Sequence, residues 1–96
     1  MENYLTKREY TGANVDTLLE AGYDEGDKFV TFKQALKLPE VTGKNLKGIK
    51  KAATLFFFKE EEDKVTGEKI KRKKYFSVFD VKDVIETVII NNKKVA

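Results

Sequence analysis

The chain has 96 residues, of which 41% are hydrophobic and 36% are charged, and its formal net charge is +3. This length and composition fit one folded domain spanning residues 1–96. The chain contains no cysteine and no histidine, which excludes disulfides, thiolate metal sites and the commonest general base, so we expect no enzyme, no metal site and no cofactor. No segment is typical of a signal peptide or a membrane span, which favours a cytoplasmic protein without a membrane partner.

The charge is distributed unevenly. Residues 1–30 carry seven acidic and three basic side chains, whereas residues 31–59 carry seven lysines and one glutamate. The rest of the chain is close to balanced. A polyanion would therefore meet the middle third of the chain, and the acidic first third would face elsewhere.

Two short helices are predicted first along the chain. Asn14 is a good N-cap, Gly22 stands where the first helix ends, and three apolar residues between them follow helical spacing: Val15, Leu18 and Leu19. Thr31, with Gln34 three residues later, fits the capping box of a second helix that ends before Pro39. Its predicted buried stripe consists of Phe32, Ala35 and Leu36.

An antiparallel hairpin follows. Residues 52–59 are rich in aromatic and apolar side chains, Thr66-Gly67 marks a turn, and residues 70–79 form the returning strand. Pairing about this turn brings three acids near three bases: Glu60, Glu61 and Glu62 near Lys73, Arg72 and Lys71.

The C-terminal element is predicted as a third helix capped by Asp80, with a short helix followed by a strand at 88–90 as the alternative, because β-branched residues weaken the helical pattern. Residues 1–9 and 91–96 are polar, and we expect them to be frayed. The predicted fold class is a small α+β domain, in which an antiparallel hairpin or sheet packs with two or three short helices.

The segment Gly43–Lys51 is the first candidate binding site. Its glycines let backbone amides approach a phosphate, its lysines supply point charges, and no acid lies between Glu40 and Glu60. The alternative is a solvated loop. The candidate phosphate contacts are Lys44, Lys47, Lys50 and Lys51.

Aromatic residues of the hairpin are the second candidate, because bases of a single strand stack on exposed rings. Most of these rings are expected in the core. Tyr75 is the favoured stacking ring, since its hydroxyl suits a partly wet site, and Tyr10 is the second choice.

The basic run 71–74 is expected to pair with the facing glutamates. Strand alternation sets Arg72 and Lys74 on one face, and both remain candidates if that face binds nucleic acid. On the second helix, Lys33 and Lys37 are candidates too, with an ordinary exposed polar face as the alternative. The acidic run 60–63 lacks the spacing of a metal site.

Four short signatures occur in order at compatible spacing: Tyr10-x-Gly12-x-Asn14, Phe29–Ala35, Leu46–Lys50 and Tyr75–Val81. Together they resemble the N-terminal domain of ArdC-type antirestriction proteins over roughly residues 8–81. The chain departs from the family pattern at three positions, with Phe29 for tryptophan, Ile49 for glutamate and Asp80 for asparagine. The metalloprotease-like domain of larger members has a His-Glu-x-x-His motif that these 96 residues lack, so the resemblance is to the DNA-binding module alone.

The resemblance implies sequence-tolerant binding of single-stranded DNA, in a protein of a phage or mobile element that protects DNA from host defence. The alternative is a small anti-defence protein that binds and inhibits a host nuclease, of the restriction or CRISPR kind, through its acidic first third. Neither hypothesis defines the oligomeric state.

Overall fold

A computed structural model describes residues 1–92 as a mixed four-stranded sheet with three helices. The elements in chain order are β1 (Glu2–Asn3), α1 (Ala13–Glu20), β2 (Lys28–Val30), α2 (Phe32–Leu36), β3 (Ala53–Glu62), β4 (Lys69–Asp80) and α3 (Val81–Asn92). The strand order is β1-β2-β4-β3; β1 is parallel to β2, and the other neighbours are antiparallel. The predicted α+β class and the hairpin are confirmed, and the sheet has two further strands, β1 and β2, that were not predicted.

The N-terminal residues are part of the sheet, so the prediction that 1–9 are frayed is wrong. Met1 and Asn3 are buried, and the Tyr4 amide donates to the Phe29 carbonyl. The Asn3 side chain holds the following turn by accepting from two backbone amides, and it donates to Gln34. A polar segment is ordered here because its backbone pairs with β2 and the buried side-chain amide of Asn3 accepts two hydrogen bonds and donates one.

The N-cap of helix α1 is Gly12 rather than the predicted Asn14. Gly12 is the N-cap residue with φ 62°, a left-handed conformation that glycine adopts without strain. Asn14 lies inside the helix, and its side chain forms hydrogen bonds with the backbone of β3 instead of capping the helix. Leu18 is fully buried, whereas Leu19 is 45% exposed because only one row of this two-turn helix packs on the sheet.

The capping box of α2 is confirmed: the Thr31 hydroxyl accepts from the Gln34 amide, and the Gln34 side chain accepts from the Thr31 amide. The predicted stripe is wrong in part, because Phe32 and Leu36 are each 46% exposed and only Ala35 is buried. A helix of five residues makes little more than one turn, so one position faces the sheet.

Apolar clusters cover both faces of the sheet near its base. On the α1 side, Leu18 packs with Phe29, Leu55 and Val78. On the other side lie residues from β2, β4, α2, α3 and the loop that precedes β3: Val30, Ala35, Leu38, Val41, Leu46, Phe79, Val81, Val84 and Val88. The lysine-rich loop is therefore anchored at Val41 and Leu46, with its lysines outside.

Helix α3 is continuous to Asn92, so the alternative strand at 88–90 is wrong. Its three buried valines pack on β2 and β4, and this burial outweighs their weak helix propensity. Asp80 accepts from the Lys82 amide at 2.8 Å, as predicted for a cap. Because α3 includes residues 91 and 92, the frayed tail is wrong for these two, and 93–96 lie outside the described residues.

The hairpin extends beyond the core as an arm, residues 57–74, which gives the described chain a longest dimension of 61 Å. The sequence places Glu60 near Lys73 without defining the register, and the observed partner of Glu60 is Lys71, two residues away. The reason is the connection, in which the amide of Gly67, at φ 72°, bonds back to the Asp63 carbonyl, so Thr66-Gly67 is not the centre of the turn. A shift of two residues leaves every side chain on its predicted face.

Candidate nucleic-acid interface

The two faces of the arm carry different side chains. Phe56 lies opposite Tyr75, and Phe58 lies opposite Lys73, so alternation sets these four on one face, here called the ring face. The ion-pair face, on the other side, consists of Phe57, Glu61, Arg72 and Lys74. The ring face is on the same side of the sheet as α2 and α3, and the ion-pair face is on the side of α1.

Two rings of the ring face are open to solvent: Tyr75 is 66% exposed and Phe58 is 62% exposed. Phe56 packs edge-on against Phe58 with ring centroids 5.7 Å apart. The ammonium group of Lys73 lies 4.2 Å from the Phe56 centroid and 5.4 Å from that of Tyr75, which is cation–π geometry. The ring face thus combines accessible π-surfaces with a cation that is not paired with a carboxylate among residues 1–92.

A second cation lies at the base of the ring face. The Lys51 ammonium donates to the Thr54 hydroxyl at 3.2 Å, and Thr54 precedes Phe56 by two residues on the same face of β3. Lys51 is exposed. Of the predicted loop lysines, this one is brought beside the rings.

The other three candidate lysines of the loop, Lys44, Lys47 and Lys50, do not lie beside the rings. Lys50 lines a shallow cavity of about 260 Å³ together with Asp83 and Glu86, whose carboxylates reduce the local positive potential. The backbone of residues 45–47 is fixed to the end of α3, because the Asn91 side chain donates to the carbonyls at 45 and 47. The backbone at Lys47 therefore lies at the C-terminal end of α3, and no cation–π contact within residues 1–92 joins Lys44 or Lys47 to the rings, which corrects the prediction of one convergent cluster.

Lys33 and Lys37 are exposed on α2, as expected for an outer helix face. That helix packs on β2 and β4 near the core, with Phe32 against Phe79 at 6.0 Å between centroids, and not on the arm. The two lysines therefore do not extend the ring face along the hairpin.

Arg72 and Lys74 belong to the ion-pair face. The Arg72 Nε lies 3.1 Å from one oxygen of Glu61, and the Lys74 Nζ lies 3.9 Å from the other. This confirms the expected pairing with a glutamate, and it separates both cations from Tyr75. They are not part of the same site, because neighbouring residues on a strand point to opposite faces.

Tyr10 is half-buried, whereas a ring that stacks on a base is expected to be exposed. It packs edge-on against Phe29, with centroids 6.1 Å apart, and its hydroxyl is buried without a hydrogen-bond partner among residues 1–92. Burial raises the pKa of this hydroxyl above its ordinary value, an effect that the nearby Asn3 side chain only partly offsets. Tyr10 is a partly buried residue that packs against the apolar cluster containing Phe29.

Sequence reasoning missed Lys73, and it included Phe58 among the aromatic residues of the hairpin without singling it out. Strand alternation alone could have placed Lys73 beside Tyr75, because residues 71, 73 and 75 share a face in any strand that includes them. The sequence placed Lys73 near Glu60, and the contact of Lys73 with the rings was therefore not predicted. The observed partner of Lys73 across the ladder is Phe58.

Comparison of the chain with protein-family models, with curated proteins and with solved structures finds no match to any of them. The resemblance to the ArdC N-terminal domain therefore stays a prediction. Within residues 1–92, none of the helices has the length and apolar character needed to cross a membrane. The same residues include no group of three or more acidic, cysteine or histidine side chains placed to hold a metal ion.

Proposed function

We propose that the ring face binds single-stranded DNA with little sequence preference. The observation that carries the proposal is the exposure of Tyr75 and Phe58 beside the Lys73 ammonium. Large aromatic side chains stabilise a fold only when they are buried, and these two are more than half exposed on a projecting arm. An exposed ring cluster of this kind is typical of a binding surface.

Binding would use the rings for bases and the lysines for phosphates. A base stacked on an aromatic ring contributes about 1–3 kcal/mol, and it does so for any base because each has a π-face. Lys73 occupies the space over two rings, so a stacking base displaces its ammonium, which is then free to contact a neighbouring phosphate. Lys51 supplies a second phosphate contact at the base of the same face.

The surface favours an unpaired strand over a duplex. Bases in a duplex are stacked on one another, and only a single strand offers their faces to protein rings. Thr54 and Phe58 are about 14 Å apart along β3, so the ring face spans a few nucleotides. A role in protecting the DNA of a phage or mobile element from host defence rests on the family resemblance alone.

The sharpest test compares two adjacent phenylalanines. Phe58→Ala removes a ring from the ring face, and Phe57→Ala removes one from the ion-pair face; both are exposed, at 62% and 47%. With a labelled oligothymidylate, fluorescence anisotropy should show binding weakened about 5- to 100-fold for Phe58→Ala and changed less than about twofold for Phe57→Ala.

Duplex DNA and a uridine oligonucleotide of equal length complete the experiment. Duplex should bind more weakly than the single strand, and binding should weaken steeply with salt because phosphates release counterions. Equal effects of the two phenylalanine substitutions would contradict the proposed site. A protein that binds no oligonucleotide yet inhibits a host nuclease would support the protein-binding alternative instead.

A further inference from the structure

The outer edge of β3 is partly occupied by a side chain of the chain itself. β3 is an edge strand, and Asn14 of α1 donates to the Phe56 carbonyl at 2.8 Å and accepts from the Phe56 amide at 3.1 Å. One side-chain amide thus makes both hydrogen bonds that a residue of a neighbouring strand would make. The edge is competent for strand pairing and is blocked at this one position.

The same contact fixes the direction of the other backbone groups. Because the Phe56 amide and carbonyl point away from β4, those of Phe58 and Glu60 point the same way, since backbone direction alternates along a strand. Among residues 1–92, neither pair of groups has a hydrogen-bond partner on that side. The edge is therefore open from Phe58 outward, on an arm where these residues are exposed.

We propose that this open edge, Phe58–Glu62, binds an extended peptide segment rich in lysine or arginine by strand addition. The charge of the edge selects such a partner. Glu60 and Glu62 point to the ring face beside the open backbone groups; Glu60 has one long, exposed contact, with Lys69 at 4.0 Å, and Glu62 has no ion pair among residues 1–92. A basic residue of an added strand would lie directly opposite each glutamate.

The β4 lysines do not cancel this preference. Lys71 and Lys69 lie opposite Glu60 and Glu62 on the far side from the open edge. An added strand meets the glutamate row first, at about 5 Å, and the lysine row about 5 Å beyond it, where salt screens more strongly. The ring of Phe58 offers an apolar contact for an aliphatic residue of the partner.

A second copy of the chain fits this edge poorly. A symmetric antiparallel pairing centred on residue 59 sets Lys59 opposite itself, and one centred on residue 61 sets Glu61 opposite itself and Glu60 opposite Glu62. One centred on residue 60 sets Glu60 opposite itself, flanked by two pairs of Lys59 with Glu61. Like charges directly opposite one another destabilise a ladder. The charges therefore favour a different, basic chain, and the proposal stands independently of nucleic-acid binding.

The probe is a capped nine-residue peptide of alternating valine and lysine, with the glutamate-for-lysine version as its control. Amide hydrogen exchange, followed by NMR, should show the lysine peptide slowing exchange at Phe58 and Glu60. The glutamate peptide should bind roughly fivefold more weakly, the effect of two opposite-charge cross-strand pairs. A lysine peptide methylated on the amides that face β3 should give no protection.

Two substitutions of Glu60 distinguish the contribution of its backbone amide to peptide binding from that of its side-chain charge. Glu60→Pro removes the outward amide without removing a bond to β4, a position where an edge strand tolerates proline, and it should abolish binding of both peptides. Glu60→Gln keeps the amide and should mainly reduce the preference for lysine. Slow exchange at Lys59, whose amide points to β4, reports that each variant is folded.

Three results would overturn the proposal. The first is equal protection by the lysine peptide and its methylated form. The second is a concentration-dependent protection of Phe58 and Glu60 in the protein alone, which would identify a second copy as the occupant. The third is the absence of any protection at millimolar peptide.

Discussion

The two faces of the arm are made from the same two strands and contain the same kinds of residue, yet their cations are used differently. On the ring face the Lys73 ammonium lies over two aromatic rings, and on the ion-pair face Arg72 and Lys74 share the carboxylate of Glu61. A carboxylate neutralises a cation, whereas a ring leaves its charge available to a phosphate. The pairing of both cations with Glu61 therefore distinguishes the ion-pair face from the ring face.

Removing Glu61 should make the cations of the ion-pair face as available to a phosphate as the one on the ring face. Glu61→Ala frees Arg72 and Lys74 beside the exposed ring of Phe57, and two released cations should strengthen single-strand binding about tenfold at 0.1 M salt and steepen its salt dependence. The measurement is anisotropy across a salt series. Glu62→Ala makes the same change of net charge without freeing an ion pair, and it should increase affinity by no more than about threefold.

An unchanged affinity for Glu61→Ala, or equal gains for both variants, would show that pairing is not what separates the two faces. The side of the sheet on which each face lies would then be the better explanation, since the ring face continues to Lys51 and the ion-pair face continues to α1.

Local signals predicted much of this fold because they act within a few residues. The capping box at Thr31, the aromatic strand after Ala52, the acid–base complementarity of the hairpin and the cap at Asp80 are all readable from spacing. The features that the sequence did not predict depend on contacts between residues that are distant in sequence. Residues 1–9 become ordered only through β2, and the polar residue Asn14 finds its partner 42 positions along the chain.

The site was predicted less well than the fold, for a related reason. Tyr75 follows from its amphipathic ring, but which lysines accompany it depends on the turn that sets the hairpin register and on how the loop packs against α3. A run of four basic residues looks like one patch in sequence. The strand divides it into two pairs with opposite environments, and only the pair of residues 71 and 73 shares the face of Tyr75.

Removing one positive charge from each face, at adjacent residues, compares the two faces directly. Lys73→Gln removes one phosphate contact and should weaken single-strand binding about three- to fivefold at 0.1 M salt, with the salt slope reduced by about 0.7. Lys74→Gln removes the same charge one residue away, but from a cation already held by Glu61, and its effect should stay below about twofold. Identical salt slopes for the two variants would show that the field of the whole arm, and not the ring face, attracts the strand.

The smallest effect expected concerns a carboxyl at the base of the hairpin. Asp80 is 6% exposed, and burial is the main cause that raises its pKa above the ordinary value, opposed in part by the hydrogen bond from the Lys82 amide. A raised pKa in the folded state means that ionisation disfavours folding, so this cost is absent in acid and grows as the pH rises through and above about 4.

Asp80→Asn keeps a cap acceptor and removes the charge. Its unfolding free energy relative to the parent should therefore shift in favour of the variant as the pH rises from 3 to 7, as measured by urea denaturation at each pH. Asp80→Ala, which lacks the acceptor, should be less stable by about 1 kcal/mol than Asp80→Asn at every pH. A parent that gains stability relative to Asp80→Asn with rising pH would show that the hydrogen bond from Lys82, and not burial, dominates at this carboxyl.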